Sequence, residues 1–229
     1  MKHNITLGWL LVLGFLIDHE ITLTDMTKLD LTKAFKSYYS ATIEPQVVEI
    51  GKGLFLTIQG KGDPNGEAFA ENVAALYGVA YGIKFLCKAE TRDFTVSKLE
   101  GFWWVEDTTQ DPLTIPREEW RYELAIRMPD YVTTQHFTAA VSTAEKKKKS
   151  TLFRQVDLKT IEEGSSLQLL HVGPFSTEPA SLKKMDDFMH SKGLTWNGRH
   201  HEIYLSDFRK TEQEKLKTIL RHPVKAVSQ

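Results

Sequence analysis

The stretch from Ser166 to Asp207, SLQLLHVGPFSTEPASLKKMDDFMHSKGLTWNGRHHEIYLSD, decides how the chain folds. Ser166–Val172 is a β-rich run closed by Gly173-Pro174, which reads as a strand and a turn. Ser176 or Thr177 then caps a helix with Pro179 in its first turn, and Leu182, Met185, Phe188 and Met189 form its apolar stripe. Gly193 stands where a helix C-cap glycine belongs, and His201–Leu205 reads as the next strand. Leu216–Val224 is the last strand, begun by a helical turn.

The same order occurs earlier in the chain. Leu54–Gln59 alternates as a strand, and Gly60-Lys61-Gly62-Asp63-Pro64-Asn65-Gly66 turns the chain, with Asp63 as cap and Pro64 at the first helical position. Phe69, Val73, Leu76, Tyr77, Ala80 and Ile83 recur at helical spacing, giving an amphipathic helix from Glu67 to about Phe85. Phe94–Leu99 with Phe102–Val105 is a strand or strand pair, and Trp120–Arg127 is another strand. Both halves, about 50–130 and 165–225, thus read as β-α-β-β. Thr133 to Ser150 carries Phe137, Ala140, Val141 and Ala144 at helical spacing and forms a connecting helix, about 133–150. The expected class is α+β: a duplicated unit with pseudo-two-fold symmetry and a central ligand cleft, not an alternating parallel fold.

Composition narrows the function. The 229 residues are 41% apolar and carry 29 Lys+Arg against 30 Asp+Glu. That supports a packed core and excludes global disorder. A net charge of −1 offers no general field for phosphate backbones, so no nucleic-acid partner is expected. The single cysteine, Cys87, suits a reducing cytoplasm and reads as a small buried hydrophobe.

The first 25 residues stand apart from the domain expected over 26–229. Ile5–Ile17 is apolar but shorter than the about 20 residues a spanning helix needs. A membrane-associating segment, a buried terminal element and translation assigned from an upstream start stay open. Met26-Thr27-Lys28 opens an ordinary soluble sequence and favours the last. No membrane contact is expected for 26–229.

Several candidate chemistries fail on spacing. Gly60-x-Gly62-x-x-x-Gly66 matches neither dinucleotide nor Walker patterns and reads as a tight turn. Lys146–Lys149 is a solvated helix end. His200 and His201 point to opposite faces of a strand, so they do not readily share one metal, and neither metal nor cofactor is expected.

Within 196–207, Ile203 and Leu205 share one face, suited to packing under helices, while His200, Glu202, Tyr204 and Ser206 share the other. Two readings of Glu202 stand at this point. It is a desolvated acid in an aromatic cleft, walled from among Trp103, Trp104, Tyr77, Trp120 and Tyr122, or it is a solvated partner of Arg199 or Arg209.

The string His200-His201-Glu202-Ile203-Tyr204-Leu205-Ser206-Asp207, followed by Glu214–Arg221, resembles the C-terminal signature of stand-alone GyrI-like small-molecule-binding proteins. Gly60–Asn65, Leu99–Trp103, Arg127-x-Pro129-Asp130, His171–Phe175 and Glu178–Ser181 extend the resemblance over roughly 30–225. It implies paired β-α-β-β halves with a ligand cleft between them, as in multidrug effector domains where an acid in an aromatic pocket meets cationic ligands. It further implies partners that are hydrophobic or cationic aromatic molecules. In some members it implies hydrolysis of cyclopropanoid alkylating compounds, a detoxifying activity. Carried over by motif, Glu202 is the acid-base residue, with Tyr204 or Tyr122 its hydrogen-bond partner. Trp103 and His171 are wall or polar pocket residues by the same match; Tyr77 and Trp104, offered as walls by the residue reading, and Phe175, standing where members often carry tyrosine, complete the expected ligand-binding set. A non-catalytic drug-binding, sequestering or sensing role, or that of a transcription regulator, is the alternative. No helix-turn-helix module is evident before the domain.

Overall fold

Each apolar alternation of the sequence becomes a strand with one face under helices. The computed structural model describes residues 28–107, 109 and 114–227. The N-terminal extension, residues 1–25, thus lies outside the described residues. In chain order the elements are β1 (Leu29–Asp30), α1 (Leu31–Ala34), β2 (Gln46–Ile50), β3 (Gly53–Lys61), α2 (Glu67–Ala89), β4 (Phe94–Thr95) and β5 (Leu99–Trp104). There follow β6 (Arg121–Met128), α3 (Thr134–Lys148), β7 (Asp157–Ile161), β8 (Gly164–Val172), α4 (Glu178–Ser191), β9 (Leu194–Trp196), β10 (His200–Tyr204) and β11 (Lys217–Ala226).

Among the described residues, eight strands run in the order β2-β8-β11-β10-β5-β6-β3-β7 with β9 paired to β11, all antiparallel. The repeated units are β3-α2-β5-β6 and β8-α4-β10-β11. In the sheet they lie as β3-β6-β5 against β10-β11-β8, so the pseudo-two-fold relation falls between β5 and β10, where Trp103 faces His200 and Gly101 faces Glu202. Strand β7 ends the strand order and β8 is second from its other end, yet only Glu162 and Glu163 join them. The sheet therefore curls strongly, bringing its ends together.

One face of the sheet carries the helices. Phe69, Val73, Leu76, Val79, Ala80 and Ile83 of α2 pack on Leu56, Ile58, Tyr122, Leu124 and Ile126, while Met185 and Met189 of α4 pack on Leu167, Leu169 and Leu220. Cys87 is fully buried in the first of these clusters. Helix α2 runs to Ala89, beyond the expected Phe85, because Leu86 and Cys87 continue its buried stripe. It starts at Glu67 as expected, but Asp63 does not cap it. That carboxylate accepts from the Asn65 backbone and side-chain amides at 2.9 and 3.0 Å, closing a turn on itself, and the helix begins after Gly66. At α4 the Thr177 side chain makes no capping bond and donates to the Pro174 carbonyl instead, at 2.8 Å.

The other face packs against a segment whose role the sequence hid. Leu31, Tyr38 and Tyr39 fill the hollow of the curled sheet against Phe55, Phe102, Ala125, Ile203 and Ile219. Ile203 and Leu205 therefore lie under this N-terminal segment with its short α1, and the long helices α2 and α4 stand on the Glu202 face.

The hollow also holds a fully buried polar network. Glu100 accepts from Tyr38 Oη at 2.5 Å and Tyr39 Oη at 3.2 Å, and meets His201 Nε2 at 3.1 Å. His201 Nδ1 reaches Glu163 at 3.1 Å, and Arg221 binds Glu163, Gln168 and the Tyr38 carbonyl. Burial by itself would lower the His201 pKa, but the carboxylates of Glu163 and Glu100 outweigh it and hold it above the usual range. Burial of Glu163 is likewise outweighed by His201 and Arg221, which keep its pKa below the usual range.

Candidate functional site

On the helix side, the middle of the sheet is a floor of aromatic and acidic groups. Trp103 Nε1 donates to Tyr204 Oη across the β5–β10 boundary at 3.2 Å. The intervening Gly101 makes this contact attainable: a Cβ there would stand 2.8 Å from Trp103 Nε1 and 3.0 Å from Tyr204 Oη. Glu202 lies directly opposite Gly101 with its side chain 13% exposed.

The α2 wall is built by rings. Phe69 stacks on Trp103 with centroids 5.9 Å apart, Trp120 meets Trp103 edge-on at 6.0 Å, and Tyr122 meets Phe69 edge-on at 5.0 Å. Tyr122 is itself almost completely buried over Gly60, where a Cβ would come within 2.3 Å of its ring, and its hydroxyl accepts from Asn72 Nδ2 at 3.0 Å. This close approach explains the first glycine of the 60–66 loop. Opposite, Phe175 and Phe208 meet Tyr204 edge-on at 6.0 and 5.9 Å. Tyr77 of α2 is half-buried, with Arg209 and Asp207 near enough to act on its hydroxyl, at the Phe208 end of the cleft.

The fold thus gathers Glu202, Tyr204, Trp103 and Phe175, with Tyr77 at the margin. It does not bring in three other expected residues. Trp104 lies on the opposite side of the sheet, its ring under the Arg199 guanidinium at 3.7 Å, because adjacent strand residues point to opposite faces. His171 is buried and spends its nitrogens on Ser181 Oγ at 2.9 Å and the Pro174 carbonyl at 3.1 Å, pinning the loop before α4. Tyr122 packs against Trp103 with centroids 5.6 Å apart, and its hydroxyl is held by Asn72. The solvated reading of Glu202 also fails: Arg199 pairs with Glu123 and Arg209 with Asp207. The basic group beside Glu202 is His200, whose Nε2 lies 3.4 Å from Oε1.

A second carboxyl joins the site, one that the sequence showed only within the Glu178–Ser181 match and without a role. Glu178 opens α4, is only 9% exposed, and its Oε1 has no hydrogen-bond partner among the described residues. A helix N-terminus ordinarily favours an ionised acid. Here burial, followed by repulsion from Glu202, raises its pKa to about 9, so it is protonated at neutral pH. Tyr204 is pushed well above the tyrosine range by burial, then by the charge of Glu202 and a hydrogen bond to it.

Two surface recesses, of about 230 and 460 Å³, lie elsewhere, around Glu123 and Lys159. Glu123 there is paired with both Lys159 and Arg199, so its charge is satisfied, unlike that of the cleft acids.

A family model described as the GyrI-like small molecule binding domain matches residues 43–225. The chain belongs to this family. A solved structure of an uncharacterized conserved protein from Listeria innocua is 42% identical to this GyrI-like chain, with a TM-score of 0.80. The match covers 86% of this chain and all of that one. A Listeria innocua protein described as a hydrolase is 40% identical over 86% of this chain and all of its own, with a TM-score of 0.76. The EcmrR C-terminal domain, 11% identical over 80% of this chain and 98% of its own, has a TM-score of 0.55 and shares the fold. No curated protein matches the chain. Among the described residues, no helix is long and apolar enough to cross a membrane.

Proposed function

We propose that this GyrI-like domain binds amphipathic aromatic molecules, cationic ones among them, over the Trp103–Tyr204 floor. We further propose that it hydrolyses cyclopropanoid alkylating compounds there, a detoxifying activity in the cytoplasm. The observation that carries this reading is Glu202: a carboxyl 13% exposed, between two aromatic walls, with no Lys or Arg paired to it. Such a group either meets a cation or works on a proton. The hydrolase from Listeria innocua at 40% identity supports the second use.

In the proposed reaction a spiro-cyclopropane conjugated to a dienone lies flat on Trp103 and Phe175. Glu202 orients water against the ring methylene and takes its proton. The carbon–carbon bond breaks, and its electron pair passes into the dienone to leave a phenolate oxygen. Tyr204 accepts from Trp103 and donates to Glu202, so its role is to hold the carboxylate in place.

The test is incubation of the protein with a cyclopropanoid alkylator, following the ring-opened product by mass, with Glu202→Gln alongside. Turnover by wild type alone is the expected result. Binding without turnover by the wild type would move the reading to a sequestering or sensing protein.

A further inference from the structure

The ring opening just described leaves negative charge on an oxygen, and the residues first expected to meet it are occupied. The Tyr204 hydroxyl already donates a hydrogen bond to Glu202, and the Tyr122 hydroxyl is held by Asn72 in a buried position. Glu178 is different: it is buried, unpartnered at Oε1, and set beside Glu202 from the first turn of the facing helix. A buried polar atom without a partner costs stability, and such atoms are retained where a ligand completes them.

We propose that Glu178 is a second catalytic residue of this site, the general acid that donates its proton to a ligand's carbonyl oxygen. The inference rests on the hydrolytic reading and supplies the half of the reaction that Glu202 cannot. Protons and electrons balance within the pair. Water adds its oxygen to the methylene carbon and loses a proton to Glu202. The electron pair of the broken carbon–carbon bond passes into the dienone and makes it a phenolate, and that oxygen takes the Glu178 proton to become a phenol. The two carboxyls end with one proton between them, as they began, and its return from Glu202 to Glu178 readies the site. The class of substrate follows: a planar aromatic molecule whose breaking ring is conjugated to a carbonyl, so that one group meets Glu202 while the other meets Glu178.

The titratable groups around Glu178 are Glu202 and Tyr204 of β10, His200 beside Glu202, and His171 of β8, whose ring is tied to Ser181 of α4. The Glu178 carboxyl ionises near pH 9, which gives a readout independent of turnover. Binding of tetraphenylphosphonium, whose charge does not change with pH, is measured by calorimetry from pH 7 to 10. Wild type is expected to tighten roughly 10-fold as the second carboxylate appears, and Glu178→Gln to stay flat. With the cyclopropanoid at pH 7.5, Glu178→Gln is expected to lose roughly 10²–10³ in kcat while binding tetraphenylphosphonium as wild type does. Equal turnover by the variant, or the same pH response in both proteins, overturns the proposal. A wild type that shows the pH response without turnover overturns the hydrolytic reading and the donor role, while leaving Glu178 as the bearer of the proton.

Discussion

Strand β10 has two buried faces a single residue apart, and they treat charge in opposite ways. On the His201 side, Glu100 and Glu163 meet His201 and Arg221, and two tyrosines and Gln168 take up further bonds. On the Glu202 side, Glu178 and Glu202 face each other with one imidazole nearby and an oxygen left without a partner. Both faces are acidic and largely buried. Compensation separates them: a complete network fixes structure, whereas an incomplete one stores a need that a ligand can meet.

Breaking the compensated face carries the largest expected cost. Arg221→Met leaves Glu163 with His201 alone and takes the Arg221 donor from the Gln168 side chain and the Tyr38 carbonyl, and is expected to lose about 3–5 kcal/mol in urea unfolding. Breaking the other face should spare the fold and remove function. Glu202→Gln is expected to lower turnover of a cyclopropanoid by roughly 10²–10⁴-fold, with neutral aromatic ligands bound as before.

The acid pair also makes a prediction of opposite sign for stability. Glu178 has a folded pKa near 9 and an unfolded one near 4.5, so between these values the native state holds the extra proton and stability falls as pH rises. Glu178→Gln removes that penalty and is expected to raise Tm by several degrees at pH 8, with the gain vanishing below about pH 4.5. Glu163 behaves the other way. Its depressed pKa adds stability above about pH 4.5 that is lost as pH falls through the folded value, a loss that Glu163→Gln should abolish in acid titrations followed by circular dichroism. The smallest effect sharpens the division of faces: Trp104→Ala, on the far side of the sheet, should change the affinity of aromatic ligands by less than about 2-fold while Trp103→Ala weakens it strongly.

The sequence made one of these faces visible and hid the other. The alternation in His200–Tyr204 assigns Glu202 and Tyr204 to one side because a strand has period two, and the repeat of strand, helix and strands locates the pseudo-symmetric halves. The same alternation separates Trp103 from Trp104, so a count of aromatics alone overfills the cleft. Glu178 entered only as part of the Glu178–Ser181 match and with no role, since an acid in the first turn of a helix is commonplace and its neighbour lies 24 positions away, reached only when α4 settles on the sheet. The compensated network is equally silent: its members at 38, 100, 163, 201 and 221 share no spacing, and only curling of the sheet brings them together.

The bond from Arg221 to the Tyr38 carbonyl spans 183 positions of the chain, and that from Glu100 to Tyr38 spans 62. Contacts this remote must wait for the loops between them to close, which slows folding relative to domains dominated by local pairs. During synthesis the first unit of the duplication can begin to form as soon as β6 emerges. Tyr38 cannot be fastened until the ribosome has released nearly the whole chain, so the hollow of the sheet is the last part of the molecule to close.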